Sequence, residues 1–240
     1  MWDTFTDKVL FNKTFSGFIH RKWIYTAEHS EEEIRNFIQE LKTVVVKPIG
    51  LSSGIGIYLF DVENDNIEDL MTAIKLNDYL LEERVSLVPE LQELNPPSCQ
   101  TIRYYTMVQC DGTIKSLAAG IRVGGGESIV DNFHAAGTAY PIDLETGIVY
   151  AMGIDAIGNR YIKVPSTGRV MVGLQIPYWK DVCDFCEKAA LHEPRARWIG
   201  WDVAITPYGC EMIEGNVVPN HNFLQIFDQI GRRKEMYSYK

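Results

Sequence analysis

The residues best spaced to do chemistry are two carboxylates near the end of the chain. Two apolar runs, Trp198 to Thr206 and Cys210 to Val217, flank Pro207-Tyr208-Gly209 and read as a β-hairpin. A type I turn with proline second and glycine in the left-handed position predicts a three-residue loop that pairs Thr206 with Cys210. Counting back from that turn, Ala204 faces Met212, Asp202 faces Glu214 and Gly200 faces Asn216, all on one side, because side chains alternate along a strand. Like charges directly opposite, about 4 Å apart, repel by roughly 4 kcal/mol at an effective dielectric near 20. A divalent cation would relieve this. Asp202, Glu214 and the Asn216 amide oxygen are hard oxygen ligands, and Gly200 leaves space beside them for waters or phosphate oxygens. A shared proton, or basic neighbours on a solvated edge, is the plainer alternative. Trp201, Val203, Ile205 and Ile213 supply the apolar opposite face.

An earlier hairpin offers the opposite charge. Thr101 to Cys110 and Thr113 to Arg122 flank Asp111-Gly112, and pairing Cys110 with Thr113 sets Arg103 opposite Gly120 and Arg122 opposite Thr101. Both guanidiniums then share one face, which suits a polyphosphate or an acyl phosphate; a pair of surface salt bridges is the competing reading. A third set is Lys47, at the end of the run Val44-Val45-Val46, with the loop Gly50-Leu51-Ser52-Ser53-Gly54-Ile55-Gly56. An ammonium and the backbone N–H groups of a flexible loop can surround phosphates, although a plain hairpin connection has the same composition. No Walker A sequence is present, and neither Gly54-Ile55-Gly56 nor Gly124-Gly125-Gly126 completes a dinucleotide fingerprint.

The order of these sets along the chain resembles the ATP-grasp superfamily. Val45-Val46-Lys47-Pro48 with Ser52-Ser53-Gly54 is similar to the family's central lysine and mobile phosphate-covering loop. Asp7-Lys8 resembles its earlier phosphate lysine. Leu81-Glu82-Glu83-Arg84-Val85 resembles the segment whose glutamate and backbone hold the adenine edge, and Asp202 with Glu214-x-Asn216 resembles the magnesium ligands. Cys99-Gln100-Thr101-Ile102-Arg103, the run Val130 to Gly137 and Gly200-Trp201-Asp202-Val203 bring the chain nearest to the sugar-transfer-associated group, over about Thr6 to Gln225.

The resemblance implies an ATP- and Mg2+-dependent ligase. A substrate carboxylate attacks the γ-phosphate to give an acyl phosphate, and an amine then displaces phosphate. In that scheme Lys8, Lys47, Ser52, Ser53, Gly54, Glu82, Glu83 and Val85 bind nucleotide, with Glu90 as the ribose acid. Arg103, Arg122 and Asn132 act on the phosphates, and Asp202, Glu214 and Asn216 hold metal. His134 is expected to cap its loop; a place for His221 on the acceptor side is the weaker reading of that residue. The implied substrates are a small carboxylate and an amine or sugar-linked acceptor, on the way to a sugar or cell-surface polymer precursor. The rival activity is a peptide-modifying ligase; outside the enzymes, the rivals are a nucleotide-binding module serving a partner and an α+β scaffold that binds no nucleotide. Because Lys8 lies almost at the start of the sequence, the family's N-terminal substrate subdomain is expected to be absent or reduced: a compact version, a fragment, or a chain whose acceptor is held by a partner protein or a second copy.

The elements that must carry these residues are legible too. The chain has 240 residues, 46% hydrophobic and 23% charged, enough for one large or two joined domains. A net charge of −9 argues against nucleic acid as partner, and the absence of a long apolar run or a signal-like start reads as a cytoplasmic protein. Five scattered cysteines make no disulfide framework. Cys183 and Cys186, three apart in a helix over Tyr178 to Leu191, read as buried helix-face thiols rather than a metal or redox pair. Ser30 and Glu33 form a capping box for a helix through Lys42. Strands follow at 44–47 and 55–60, a helix at 67–76 and a strand at 79–85, and from Gln100 onward antiparallel sheet dominates. The expectation is an α+β, ATP-grasp-like fold: a small α/β subdomain over 1–85 and a larger antiparallel one over 86–240, facing each other across a nucleotide cleft.

Overall fold

The computed structural model describes residues 2–51, 54–129, 131, 137–217, 219, 222–227 and 229–231. Ser52, Ser53, Asn132, His134 and His221, all singled out above, lie outside the described residues.

Two antiparallel sheets organise the chain. The smaller has the order β1 (Trp23–Tyr25), β4 (Tyr79–Glu83), β2 (Thr43–Pro48), β3 (Tyr58–Asp61). Helices α3 (Glu31–Leu41) and α4 (Ile67–Leu76) cover one of its faces, where Ile34, Ile38, Leu70 and Met71 meet Val44, Val46, Phe60 and Leu81 in a separate core. The Ser30–Glu33 capping box forms as expected: the Ser30 hydroxyl accepts from Glu33 N–H at 3.3 Å, and the Glu33 carboxylate accepts from Ser30 N–H at 2.7 Å. Because strand side chains alternate, burying Val44 and Val46 turns Val45 and Lys47 to the opposite face, and burying Leu81 turns Leu80 and Glu82 the same way.

The larger sheet has seven strands in the order β11 (Gly209–Val217), β10 (Trp198–Thr206), β5 (Thr101–Val108), β6 (Ile114–Val123), β7 (Thr138–Ile142), β8 (Gly153–Asp155), β9 (Arg160–Tyr161). Helix α6 (Trp179–His192) packs on its core face through Trp179, Val182, Cys186, Ala189 and Ala190, an i, i+3, i+4 stripe. Cys186 is buried, Cys183 is half-buried, and all five cysteines are free thiols. Helices α1 (Trp2–Thr6) and α2 (Lys8–Thr14), which carry no strong sequence signal, wrap the edge strand β11; Phe11, Phe15 and Ile19 join the core around Trp201. The chain therefore starts on the larger sheet, enters the smaller one at Trp23 and returns after Glu83. Short helices α5 (Pro89–Gln92) and α7 (Asn222–Gln225) and a 3-10 turn at Thr26–Glu28 complete the described elements. No described helix is long and apolar enough to cross a membrane.

Both predicted hairpins form, and both turns differ from expectation by one residue. The last hairpin closes with Thr206 opposite Gly209, leaving a two-residue loop, Pro207-Tyr208, after which Gly209 takes φ 127°, so Ala204 faces Glu211 and not Met212. A bulge at Ile213 then absorbs one residue and restores Asp202 to Glu214 and Gly200 to Asn216. In the earlier hairpin Gln109 N–H bonds the Thr113 carbonyl, giving a three-residue loop with Gly112 at φ 84°. There a bulge at Leu117 restores Arg103 to Gly120 and Arg122 to Thr101. The loop after Lys47 is longer than expected and delays β3 to Tyr58, since Gly50, Gly54 and Gly56 all hold positive φ and keep the chain turning.

Candidate functional site

The cation-bearing face of the small sheet and the acid-bearing face of the large one line a single cleft of about 780 Å³, a size typical of small-molecule sites. Lys8, Lys47, Gly54, Glu82, Glu83, Val85, Arg103, Arg122, Asp202, Glu214 and Asn216, drawn from motifs spread over the whole sequence, all border it.

On the large sheet, β10 lies between β11 and β5, which sets Asp202 opposite Glu214 on one side and opposite Arg103 on the other. The Asp202 side chain is fully buried. Its Oδ1 accepts from Arg103 Nε at 2.5 Å, and its Oδ2 accepts from Arg103 Nη2 at 2.9 Å and lies 3.0 Å from Arg122 Nη2. Burial alone would raise its carboxyl, but the two arginines overcome that and hold it below the ordinary aspartate value. The arginines thus neutralise Asp202 and spend donors on it, while Glu214 still feels its charge.

Arg122 is held further by Thr101 Oγ1 at 2.7 Å and by Asp131 at 3.3 Å. Glu214 meets the solvent of the cleft, yet its depth between the layers and the charge of Asp202 raise its carboxyl above the ordinary value. Asn216 Nδ2 donates to Glu214 Oε1 at 3.0 Å and lies 3.4 Å from Asp202 Oδ2. Turning that amide would offer its oxygen instead.

Among the described residues no group of three or more His, Cys, Asp or Glu is arranged to hold a metal, so any cation here rests on two carboxylates and one amide. That donor set fits magnesium, which binds through one or two carboxylates and completes its shell with water and substrate phosphates. The expected space beside Gly200 is occupied: a Cβ there would lie 2.9 Å from Pro219 Cβ and 3.2 Å from Arg103 Cδ. Glycine at this position admits Arg103 and Pro219, not waters.

On the opposite wall Lys47 Nζ pairs with Glu82 Oε2, diagonally across the β2–β4 ladder. Glu82 also accepts from Arg21 Nη2 at 2.9 Å and Asn12 Nδ2 at 3.1 Å, so both of its oxygens are engaged within the protein. Glu83 Oε2 accepts from Lys22 N–H at 3.0 Å. Lys8 donates to the carbonyls of Pro48 and Leu51, tying α2 to the loop after β2. Burial, and to a lesser degree Lys47, lower its ammonium from the ordinary lysine value, against an opposing pull from Glu214. Glu90 is set apart from these residues. It is exposed on α5 and does not border the cleft, because Val88 and Leu91 anchor that helix in the core and turn Glu90 to solvent. Sequence reasoning missed Asn12, Arg21 and Glu211. They carry no motif, and the basic cluster His20-Arg21-Lys22 was the one available signal.

Two antiparallel layers closing on a cleft with these contents define the ATP-grasp fold, and solved structures agree. The ATP-grasp ligase PsnB, complexed with a phosphomimetic variant of a minimal precursor, Mg and ADP, is 13% identical with a TM-score of 0.56, the alignment covering 96% of this chain and 56% of that one. The ADP complex of purK, N5-carboxyaminoimidazole ribonucleotide synthetase, is 12% identical, with TM-score 0.56 and coverage of 91% and 46%. D-alanyl-alanine synthetase A from Vibrio cholerae is 11% identical, with TM-score 0.56 and coverage of 99% and 60%. No curated protein matches the chain. The profile of the sugar-transfer associated ATP-grasp family matches residues 3–239, and the chain belongs to that family. It spans between 46% and 60% of the length of these three solved relatives.

Proposed function

We propose that the protein is an ATP- and Mg2+-dependent carboxylate–amine ligase working through an acyl phosphate, with a sugar-linked or cell-surface polymer precursor among its substrates. One observation carries the reading: two lysines, Lys47 on the small sheet and Lys8 on α2, border the same cleft as an acid pair with its amide. Phosphoryl transfer needs little covalent chemistry from a protein and much charge neutralisation, and this cleft is arranged for that. Lys8 and Lys47 would bind phosphate oxygens, and an incoming anion would offset the burial that lowers the Lys8 ammonium. Magnesium held by Glu214, Asn216 and Asp202 would supply positive charge at the phosphates. Arg103 and Arg122, already oriented by Asp202, would steady the transferring group, and Ser52, Ser53, Gly54 and Asn132 would add donors around it. Glu83 and Val85 would border the adenine, while Glu82 serves Lys47. The family's association with sugar transfer supports the substrate class; the peptide ligase among the neighbours keeps a peptide acceptor as the alternative.

The test is calorimetric titration with Mg·AMPPNP, followed by ADP release against panels of carboxylates and amines. Lys47→Met is expected to weaken nucleotide binding about tenfold, and Glu214→Gln to abolish its magnesium dependence with the fold intact. A wild-type protein indifferent to nucleotide and magnesium together overturns the proposal. Binding without ADP release on any pair would make the chain a nucleotide-binding module.

A further inference from the structure

Arg21 belongs to none of the motifs above, yet it joins the two walls of the cleft. Its Nη1 donates to Glu211 Oε1 at 2.7 Å and to the Met212 carbonyl at 2.5 Å, and its Nη2 donates to Glu82 Oε1 at 2.9 Å and lies 3.5 Å from the Ile213 carbonyl. Met212 and Ile213 form the β11 bulge that restores Glu214 to its place opposite Asp202. β11 is the edge strand of its sheet, and Arg21 reaches the carbonyls of both bulge residues there. Its backbone neighbours bridge the sheets as well: Met212 N–H bonds the Phe18 carbonyl at 3.0 Å, and Glu83 N–H bonds the Lys22 carbonyl at 2.8 Å.

The far end of the guanidinium meets Glu82, whose two oxygens are divided between the layers. Oε1 accepts from Arg21 and from Asn12 of α2, while Oε2 pairs with Lys47. The Arg21 and Glu82 side chains are each 3% exposed, so neither orientation is averaged by solvent. Arg21 and Lys47 balance Glu82 and Glu211, leaving the buried cluster with no net charge.

We infer that Arg21 is a positioning residue: a strut from the β11 bulge to Glu82 that fixes the Lys47 ammonium relative to the acid pair across the cleft. Lysine cannot replace it, because one ammonium lacks the planar fork that reaches Glu82, Glu211 and the bulge carbonyl at once. The consequence for nucleotide binding rests on the proposed function, whereas the positioning of Lys47 does not.

Two measurements separate these. In the nucleotide-free protein, reductive methylation of Lys47, followed by peptide mass spectrometry, is expected to run about fivefold faster in Arg21→Lys, since Glu82 is then no longer held by the planar fork and leaves the Lys47 amine more open to the reagent. With Mg·AMPPNP as calorimetric probe, Arg21→Lys is expected to weaken binding about tenfold. Combined with Lys47→Met, it should add no more than about threefold to the loss from Lys47→Met alone, because Arg21 acts through Lys47. If Arg21→Lys does not fold, Asn12→Ala carries the same two measurements, with about threefold expected in each. Unchanged Lys47 methylation, or losses that add in full, overturns the strut. A wild-type protein that ignores Mg·AMPPNP removes the nucleotide reading, and the methylation result still decides the strut.

Discussion

Asp202→Asn is the sharpest test of how the cleft is held. The substitution keeps the shape of the side chain and removes a charge that is wholly buried and accepts two bonds from Arg103, with Arg122 at 3.0 Å. Removing one partner of a buried pair costs about 3–5 kcal/mol, because the other charge is left without compensation. Two features place this site at the lower end. Arg122 keeps Thr101 at 2.7 Å and Asp131 at 3.3 Å, and the new amide oxygen can still accept one bond from Arg103. The expected loss is therefore about 3 kcal/mol, which for a chain of this size lowers the melting temperature by roughly 6–12 °C. The freed guanidiniums make the cleft more attractive to anions, so tripolyphosphate should raise the melting temperature of the variant more than that of the wild type. Circular dichroism melts with and without tripolyphosphate read both effects. A fall of less than about 2 °C, or equal shifts with the anion, would refute the assignment of Asp202 as the counterion of both arginines.

Two further outcomes follow from the same geometry. Burial would raise the Glu82 carboxyl, but Arg21 and Lys47 hold it well below its ordinary value of 4.5. A depressed folded-state value contributes stability that is present above the unfolded value and is lost as pH falls through 4.5 towards the folded one. The stability gap between wild type and Glu82→Gln should therefore be full at neutral pH and close in acid, and denaturant melts that show a constant gap from pH 7 to about pH 3 would contradict the pairing. Gly200→Ala would press a methyl group against Pro219 and Arg103, at 2.9 and 3.2 Å; overpacking of this kind costs about 1–3 kcal/mol, and unchanged stability by denaturant titration would mean that the space is free after all.

The two hairpins show how far local reasoning reaches and where it stops. Turn residues at 207–209 and 111–112 announced both connections, yet each loop length was off by one residue. The facing pairs nevertheless came out as counted, since each second strand carries a bulge that absorbs the difference. A bulge at Ile213 or Leu117 has no composition of its own; it arises where flanking side chains must keep their faces, with Trp201 and Val203 buried on one side and Asp202 turned to the cleft on the other. Glu90 shows the same limit. Order along the chain points to it, whereas the burial of Val88 and Leu91 decides which way α5 faces and leaves Glu90 in solvent away from the cleft.

The sequence alone determined the alternation that turns Lys47 and Glu82 away from Val44, Val46 and Leu81, and where the two hairpins turn, because these depend on neighbours a few residues apart in one strand or across one turn; the facing of Asp202 with Glu214 needed the bulge as well. Tertiary structure decided that β10 lies beside β5, so that Arg103 and not a bare repulsion meets Asp202, and that Arg21 reaches Glu82 and Glu211 from between the sheets. Those partners are separated by 61 to 190 positions along the chain. Only the burial of two hydrophobic faces against their helices brings them together, and no periodicity within a single segment records it.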